Sequence, residues 1–196
     1  EVAFVGHPML DLFDLDAARA RGKELRAELL GQAAGSSSLG SGPLIGLLPG
    51  SRRNEVTRLL PPFLQACKLI RKERPHARFA IGCARWLRDE RARVFLKAHP
   101  ELEVRLVHGQ SHELMAASDV LLACSGTATL EAALIGTPLV MSYILAPASA
   151  QIAKLLLGRK RMFCLPNIIM QRRVARELLQ EGATPEAMAT SVLELL

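Results

Sequence analysis

The chain has 196 residues, 49% hydrophobic and 22% charged, enough apolar material for one well-buried core or for one domain with part of another. Its net charge of +6 sits in short basic clusters, but one Trp and one Tyr leave little to stack on bases, and no RRM, KH or zinc-finger pattern is present, so nucleic acid is not an expected partner. The apolar runs are too short to predict a transmembrane helix, no secretory leader is recognisable, and Cys67, Cys83, Cys124 and Cys164 lack CxxC spacing, which points to reduced core thiols in a cytosolic setting.

The chain opens at Glu1 in an apolar run and ends in a helical pattern, which predicts a piece of a longer protein. Residues 2–5 read as a strand ended by Gly6-His7-Pro8, and Asp14 and Asp16 offer N-caps for a charged helix over 17–30. The Gly/Ser-rich stretch 35–43 reads as a flexible connector. Thereafter strands are expected at 44–48, 77–83, 103–107, 120–124 and 138–142. Helices are expected at 54–73, with a kink or restart at Pro61-Pro62, and at 86–97, 112–117, 127–135, 147–157, 174–180 and 184–196. The strands are nearly continuous apolar runs alternating with helices at βαβ spacing, the pattern of a doubly wound parallel α/β sheet, Rossmann-like, over residues 44–196. Residues 1–15 and 16–43 are then a linker from a preceding domain and a helix with its connector.

In such a sheet, ligands bind beyond the carboxyl ends of the strands. The run 120–124 delivers the chain there, and Ser125-Gly126-Thr127 turns it into a helix whose first turn has unpaired N–H groups and a positive dipole end. Gly126 lets an anion approach, and Ser125, Thr127 and Thr129 add hydroxyl donors, as a phosphate site needs. The competing reading is that Ser125 is simply an N-cap. Glu131 argues for the ligand: a capping-box acid belongs three residues after the cap, where Ala128 stands, whereas Glu131 lies one turn deeper on the face of Thr127, suited to the two hydroxyls of a ribose. A second strand-to-helix turn, Pro49-Gly50-Ser51-Arg52, is neither a P-loop nor a G-x-G-x-x-G fingerprint. Arg52 there could fork onto a diphosphate, or could be a plain surface cation slightly at odds with the helix dipole.

Four stretches, "VGHPMLD" (5–11), "LLPGSRRNEV" (47–56), "SDVLLACSGTATLEAALIGTPLVMSY" (118–143) and "LPNII…RELLQEGATPE" (165–186), together resemble the lipid-A-disaccharide synthases, glycosyltransferases of the GT-B class. The resemblance implies a reaction joining UDP-2,3-diacylglucosamine to 2,3-diacylglucosamine 1-phosphate (lipid X) with release of UDP, and it implies that this chain is the carboxyl-terminal, UDP-binding domain. The acylated-substrate surface and the general base would belong to an amino-terminal domain. It further implies that Gly50, Ser51 and Arg52 form a diphosphate loop, that Ser125, Gly126, Thr127 and Thr129 lie at the helix tip with Glu131 at the ribose, that Asn167 is in a loop closing over the nucleotide, and that Tyr143 and Arg172 face the site. Ile144 and Gln171 depart from the family's usual residues.

No DxD or clustered metal ligand is visible, so no metal or other cofactor is expected, and the charge gathering on the departing phosphate would be met by Arg52 and the helix tip. The chain by itself is expected to bind UDP without catalysing. Another GT-B UDP-N-acetylglucosamine transferase or epimerase is the alternative enzyme. A non-catalytic domain that docks on an anionic membrane surface, with the basic 159–161 cluster following apolar residues 152–157, is the alternative of a different class. A cytoplasmic location, peripheral on the inner membrane, fits the lipid substrate, and a homodimer is left open.

Overall fold

The computed structural model describes residues 14–31, 42–83, 89–146 and 162–196, with only the backbone for residues 89–92. The expected strand at 2–5 with His7, most of the Gly/Ser connector, the helix start at Trp86, the helix at 147–157 and the basic 159–161 cluster lie outside the described residues.

Helix α1 (Leu15–Leu30) starts where Asp14 Oδ1 accepts the Ala17 N–H at 2.9 Å and stops at Gly31, in the left-handed region. Then come β1 (Leu44–Leu48), α2 (Arg53–Glu73), β2 (Arg78–Cys83), α3 (Asp89–Lys97) and a 3₁₀ turn (Pro100–Leu102). These are followed by β3 (Arg105–His108), α4 (Ser111–Ala117), β4 (Val120–Cys124), α5 (Thr127–Ile135) and β5 (Leu139–Tyr143). After the undescribed stretch come α6 (Leu165–Met170), β6 (Arg176–Leu179), a 3₁₀ turn (Gln180–Gly182) and α7 (Pro185–Leu195), capped by Thr184.

The six strands form one parallel sheet in the order β3-β2-β1-β4-β5-β6. This is the doubly wound α/β arrangement expected, and the strand order reverses between β1 and β4. Successive side chains of a strand point to opposite faces, so each strand feeds two cores. Ile45, Leu47, Phe79, Ile81, Val120, Leu122 and Val140 pack with Leu59, Leu60, Phe63 and Leu64 of α2 and with Met188 and Val192 of α7. Leu44, Leu48, Ala80, Leu121, Ala123, Leu139 and Met141 pack on the other side with α1, α4 and α5. On that side, α1 is docked rather than trailing: Arg26 donates to Ala117 O and to Asp119 Oδ2 (2.6 and 2.9 Å), and Arg19 to Ile135 O (3.0 Å).

Two expectations are corrected. Helix α2 runs as a single helix through Pro61 and Pro62 rather than restarting there. Leu59, Leu60, Phe63 and Leu64, all fully buried, hold both sides of the prolines to the sheet, and this packing outweighs the lost backbone hydrogen bonds. The helix expected at 174–180 is instead the edge strand β6 with its 3₁₀ turn, and an unexpected short helix, α6, precedes it. The Glu177 carboxylate of β6 accepts N–H groups from Phe163, Cys164 and the Asn167 side chain, which ties that helix to the strand.

Candidate nucleotide site

The loops after β1 and β4 face each other at the carboxyl edge of the sheet, at the point where the strand order reverses. Between them lies a cleft of about 390 Å³. One wall is Gly50, Ser51, Arg52 and Glu55. The other is Cys124, Ser125, Gly126, Thr127, Ala128 and Glu131, while Leu48, Gly82, Ser111 and Met115 close the floor and end.

On the second wall the N-cap of α5 is Gly126, and no side chain caps it. Ser125, the competing N-cap, instead donates its hydroxyl to Phe163 O at 3.3 Å. The tip of α5 therefore opens into the cleft with Gly126 and Thr127 exposed. Gly126 has φ 149°, a backbone that L side chains rarely adopt. Glu131 lies on the cleft wall with its side chain 20% exposed, and His112 Nε2 stands 3.4 Å from its Oε2. The acid is therefore turned to neither the core nor bulk solvent.

On the first wall Glu55 Oε2 accepts the N–H groups of Ser51 and Arg52, both at 3.0 Å, and Oε1 accepts from Arg52 Nη1 at 2.9 Å. Glu55 was not singled out in the sequence. The signal available was a Glu three residues after the N-cap of the following helix, obscured because the residue at the cap, Arg52, is not Ser or Thr. Arg52 reaches into solvent, 79% exposed, from this ion pair. Cys124, at the end of β4, is buried; burial pushes its thiol up to about 12, and the Glu55 charge adds to the rise. Tyr143, at the end of β5, is half-buried, and its phenol is also raised, by burial first and then by Cys124 and Glu55.

Of the residues singled out in the sequence, Gly50, Ser51, Arg52, Ser125, Gly126, Thr127 and Glu131 come together around the cleft. Thr129 does not: it is fully buried, and its hydroxyl donates to Gly126 O at 2.8 Å, so it braces the turn instead of facing a ligand. Asn167 is likewise fully buried. It accepts the Val174 and Ala175 N–H groups and donates to Ala175 O and Glu177, clamping its own loop shut rather than reaching over the cleft. Tyr143 and the exposed Arg172 lie outside the cleft wall. Among the described residues no three His, Cys, Asp or Glu side chains gather as a metal ion would require.

The family described as Lipid-A-disaccharide synthetase (LpxB) matches residues 1–196, the whole chain. The chain belongs to this family. The lipid-A-disaccharide synthase of Trichlorobacter lovleyi is 41% identical over 196 residues, covering 100% of this chain and 48% of that protein. The one from Pseudomonas fluorescens Pf-5 is 42% identical over 195 residues, covering 100% and 49%. The chain thus spans about half the length of these lipid-A-disaccharide synthases. Among solved structures, E. coli ADP-heptose lps heptosyltransferase II aligns with TM-score 0.59 at 16% identity, over 89% of this chain and 50% of that one. Anabaena Alr3699/HepE, solved in complex with UDP and glucose, aligns with TM-score 0.54 at 14% identity, over 93% and 45%. These likenesses show a shared doubly wound α/β fold. Among the described residues no helix is long and apolar enough to cross a membrane.

Proposed function

We propose that the cleft between the β1 and β4 loops holds the UDP end of UDP-2,3-diacylglucosamine, and that the complete protein transfers the diacylated sugar to lipid X and releases UDP. The observation that carries this reading is the tip of α5, which opens into the cleft at Gly126 with no side chain capping it and with Glu131 one turn deeper on the same wall. Unpaired N–H groups at a helix start favour phosphate. A carboxylate is a poor neighbour for phosphate but a good acceptor for ribose hydroxyls. Arg52 across the cleft supplies an exposed positive charge that can meet the negative charge building on the leaving phosphate. The match to lipid-A-disaccharide synthases supports this donor over that of another UDP-N-acetylglucosamine transferase or epimerase.

The acceptor and the general base are assigned to the part of the relatives that this chain does not span. Lipid X carries acyl chains, so the reaction is placed at the cytoplasmic face of the inner membrane, with an anionic surface or a second copy of the chain as further partners. Calorimetry on this chain with UDP, ADP and GDP tests the reading. UDP should bind about tenfold or more tighter than the other two, because protein groups matched to uracil would be left unpaired against a purine. Equal affinity for all three, or none for UDP, would refute it. Disaccharide formation by this chain alone would refute the placement of the base.

A further inference from the structure

The two walls of the cleft do not offer a diphosphate the same thing. No side chain caps the tip of α5. The β1 loop, by contrast, already holds an anion of its own. Glu55 Oε2 takes the N–H groups of Ser51 and Arg52, and Oε1 takes the Arg52 guanidinium. The carboxylate is the anchored partner, 11% exposed, while the arginine is 79% exposed. The loop is also shaped around it. A Cβ at Gly50, where φ is 116°, would stand 2.5 Å from Glu55 Oε2 and 2.6 Å from its Cβ, so this position has room for the carboxylate and no side chain besides.

We propose that Glu55 is a positioning residue that sets the phosphate affinity of the cleft: it keeps the two loop amides for itself and holds Arg52 in reserve. An incoming diphosphate then takes its backbone contacts from the tip of α5 and gains Arg52 only by drawing it off Glu55. The β1 loop thus offers the Arg52 side chain but not the Ser51 and Arg52 amides, and nucleotide binding carries the cost of separating an ion pair and of sitting near the remaining carboxylate. This rests on the reading of the cleft as a nucleotide-diphosphate site. The Glu55 charge is felt across the cleft, since it contributes to the raised thiol of Cys124 on the opposite wall.

The test is Glu55→Gln, which retains a side-chain oxygen for the loop amides and removes the charge, assayed by calorimetry with UDP, inorganic pyrophosphate and uridine. UDP and pyrophosphate should bind about three- to fivefold tighter than to the parent chain, as expected for relief from a solvent-exposed charge interaction, with uridine unchanged. Glu55→Asp, which keeps the charge, should not tighten UDP. Unchanged or weaker UDP binding by Glu55→Gln overturns the proposal, as does an equal shift for UDP and uridine, because a loop that merely lost its shape would affect both. An unfolded Glu55→Gln chain also overturns it, since the charge would then be structural. If neither chain binds UDP, the nucleotide reading itself falls and takes this proposal with it. If the parent binds UDP and Glu55→Gln responds wrongly, only this proposal falls.

Discussion

His112 on α4 and Glu131 on α5 meet at the wall of the cleft, Nε2 to Oε2 3.4 Å, and the acid is the less exposed of the two. The carboxylate thus stands at the cleft wall beside the imidazole. If Glu131 accepts the ribose hydroxyls, removing it touches only ligands that carry a sugar. Glu131→Ala should weaken UDP about tenfold or more, the range for hydrogen bonds to a charged group, and should not weaken pyrophosphate. Equal losses for both ligands would move Glu131 from the ribose to the phosphate, or to the fold.

Arg52 makes no contact that the fold requires beyond its exposed pair with Glu55. Arg52→Ala should therefore leave thermal stability within about 0.5 kcal/mol, as for most surface substitutions. Its effect belongs in the transition state, where the leaving phosphate gains charge. Loss of one donor to the charge that develops there costs on the order of 3 kcal/mol in the barrier, about a hundredfold in kcat. Steady-state kinetics on the complete protein checks this, and a near-normal kcat would remove Arg52 from the chemistry.

Gly126 separates backbone strain from steric conflict. A Cβ there would meet nothing within 4 Å, so Gly126→Ala adds no clash, only the cost of holding a side-chain-bearing residue at φ 149°. Such strain is of order 1–3 kcal/mol, or a fall in Tm of about 2–4 °C per kcal/mol for a domain this size. UDP affinity should fall as well, because the added methyl group stands where the anion approaches. A calorimetric scan and a UDP titration on the same sample read the two effects, and an unshifted Tm would show that the turn relaxes freely.

Much of this arrangement is legible in the sequence because the central strands are buried on both faces. The bounds of β1 and β4 follow from the uninterrupted runs Leu44–Leu48 and Val120–Cys124, and α5 from Gly126 before it and Gly136 after it. The edge is less legible. β6 is four residues, Arg-Glu-Leu-Leu, each a good helix former, and what makes it a strand is pairing with β5 and the inward turn of Glu177, neither of which is a local property. The same limit applies in the site. That Thr127 is exposed while Thr129 is buried follows from where Gly126 O sits, and spacing alone does not say that Glu55 reaches back over its own helix start.

Asn167 is buried away from the cleft wall, and it is testable as a structural residue. Its amide oxygen takes the Val174 and Ala175 N–H groups, and its nitrogen reaches Ala175 O and Glu177 (2.7–2.8 Å). Truncation leaves buried partners unsatisfied, at about 1–3 kcal/mol for each group that water cannot reach. Asn167→Ala should lower Tm by several degrees and speed hydrogen exchange at Val174 and Ala175 well beyond the change in β1 or β4. Arg172→Ala, on the exposed part of the same loop, should leave both readouts unchanged. Uniform exchange changes across the sheet would contradict the local clamp.

Cys124 ties the cleft to alkaline stability. Burial first, and the Glu55 charge second, raise its thiol from 9.0 to about 12. The native state therefore keeps this proton over a range in which the unfolded chain has released it, so the unfolded state gains as pH rises. The stabilisation is complete below pH 9 and is lost as pH climbs from about 9 toward about 12. Cys67 and Cys164, whose thiols are also raised chiefly by burial, act in the same direction. Tm should be flat from about pH 7 to 9 and fall above it. Cys124→Ala should start lower, because a buried atom is lost, but fall less steeply over the alkaline range. Parallel curves for the two proteins would place the alkaline sensitivity elsewhere. Iodoacetamide offers an independent reading: at pH 8 Cys124 should alkylate far more slowly than an unfolded-chain thiol, since both its burial and its protonation withhold the thiolate.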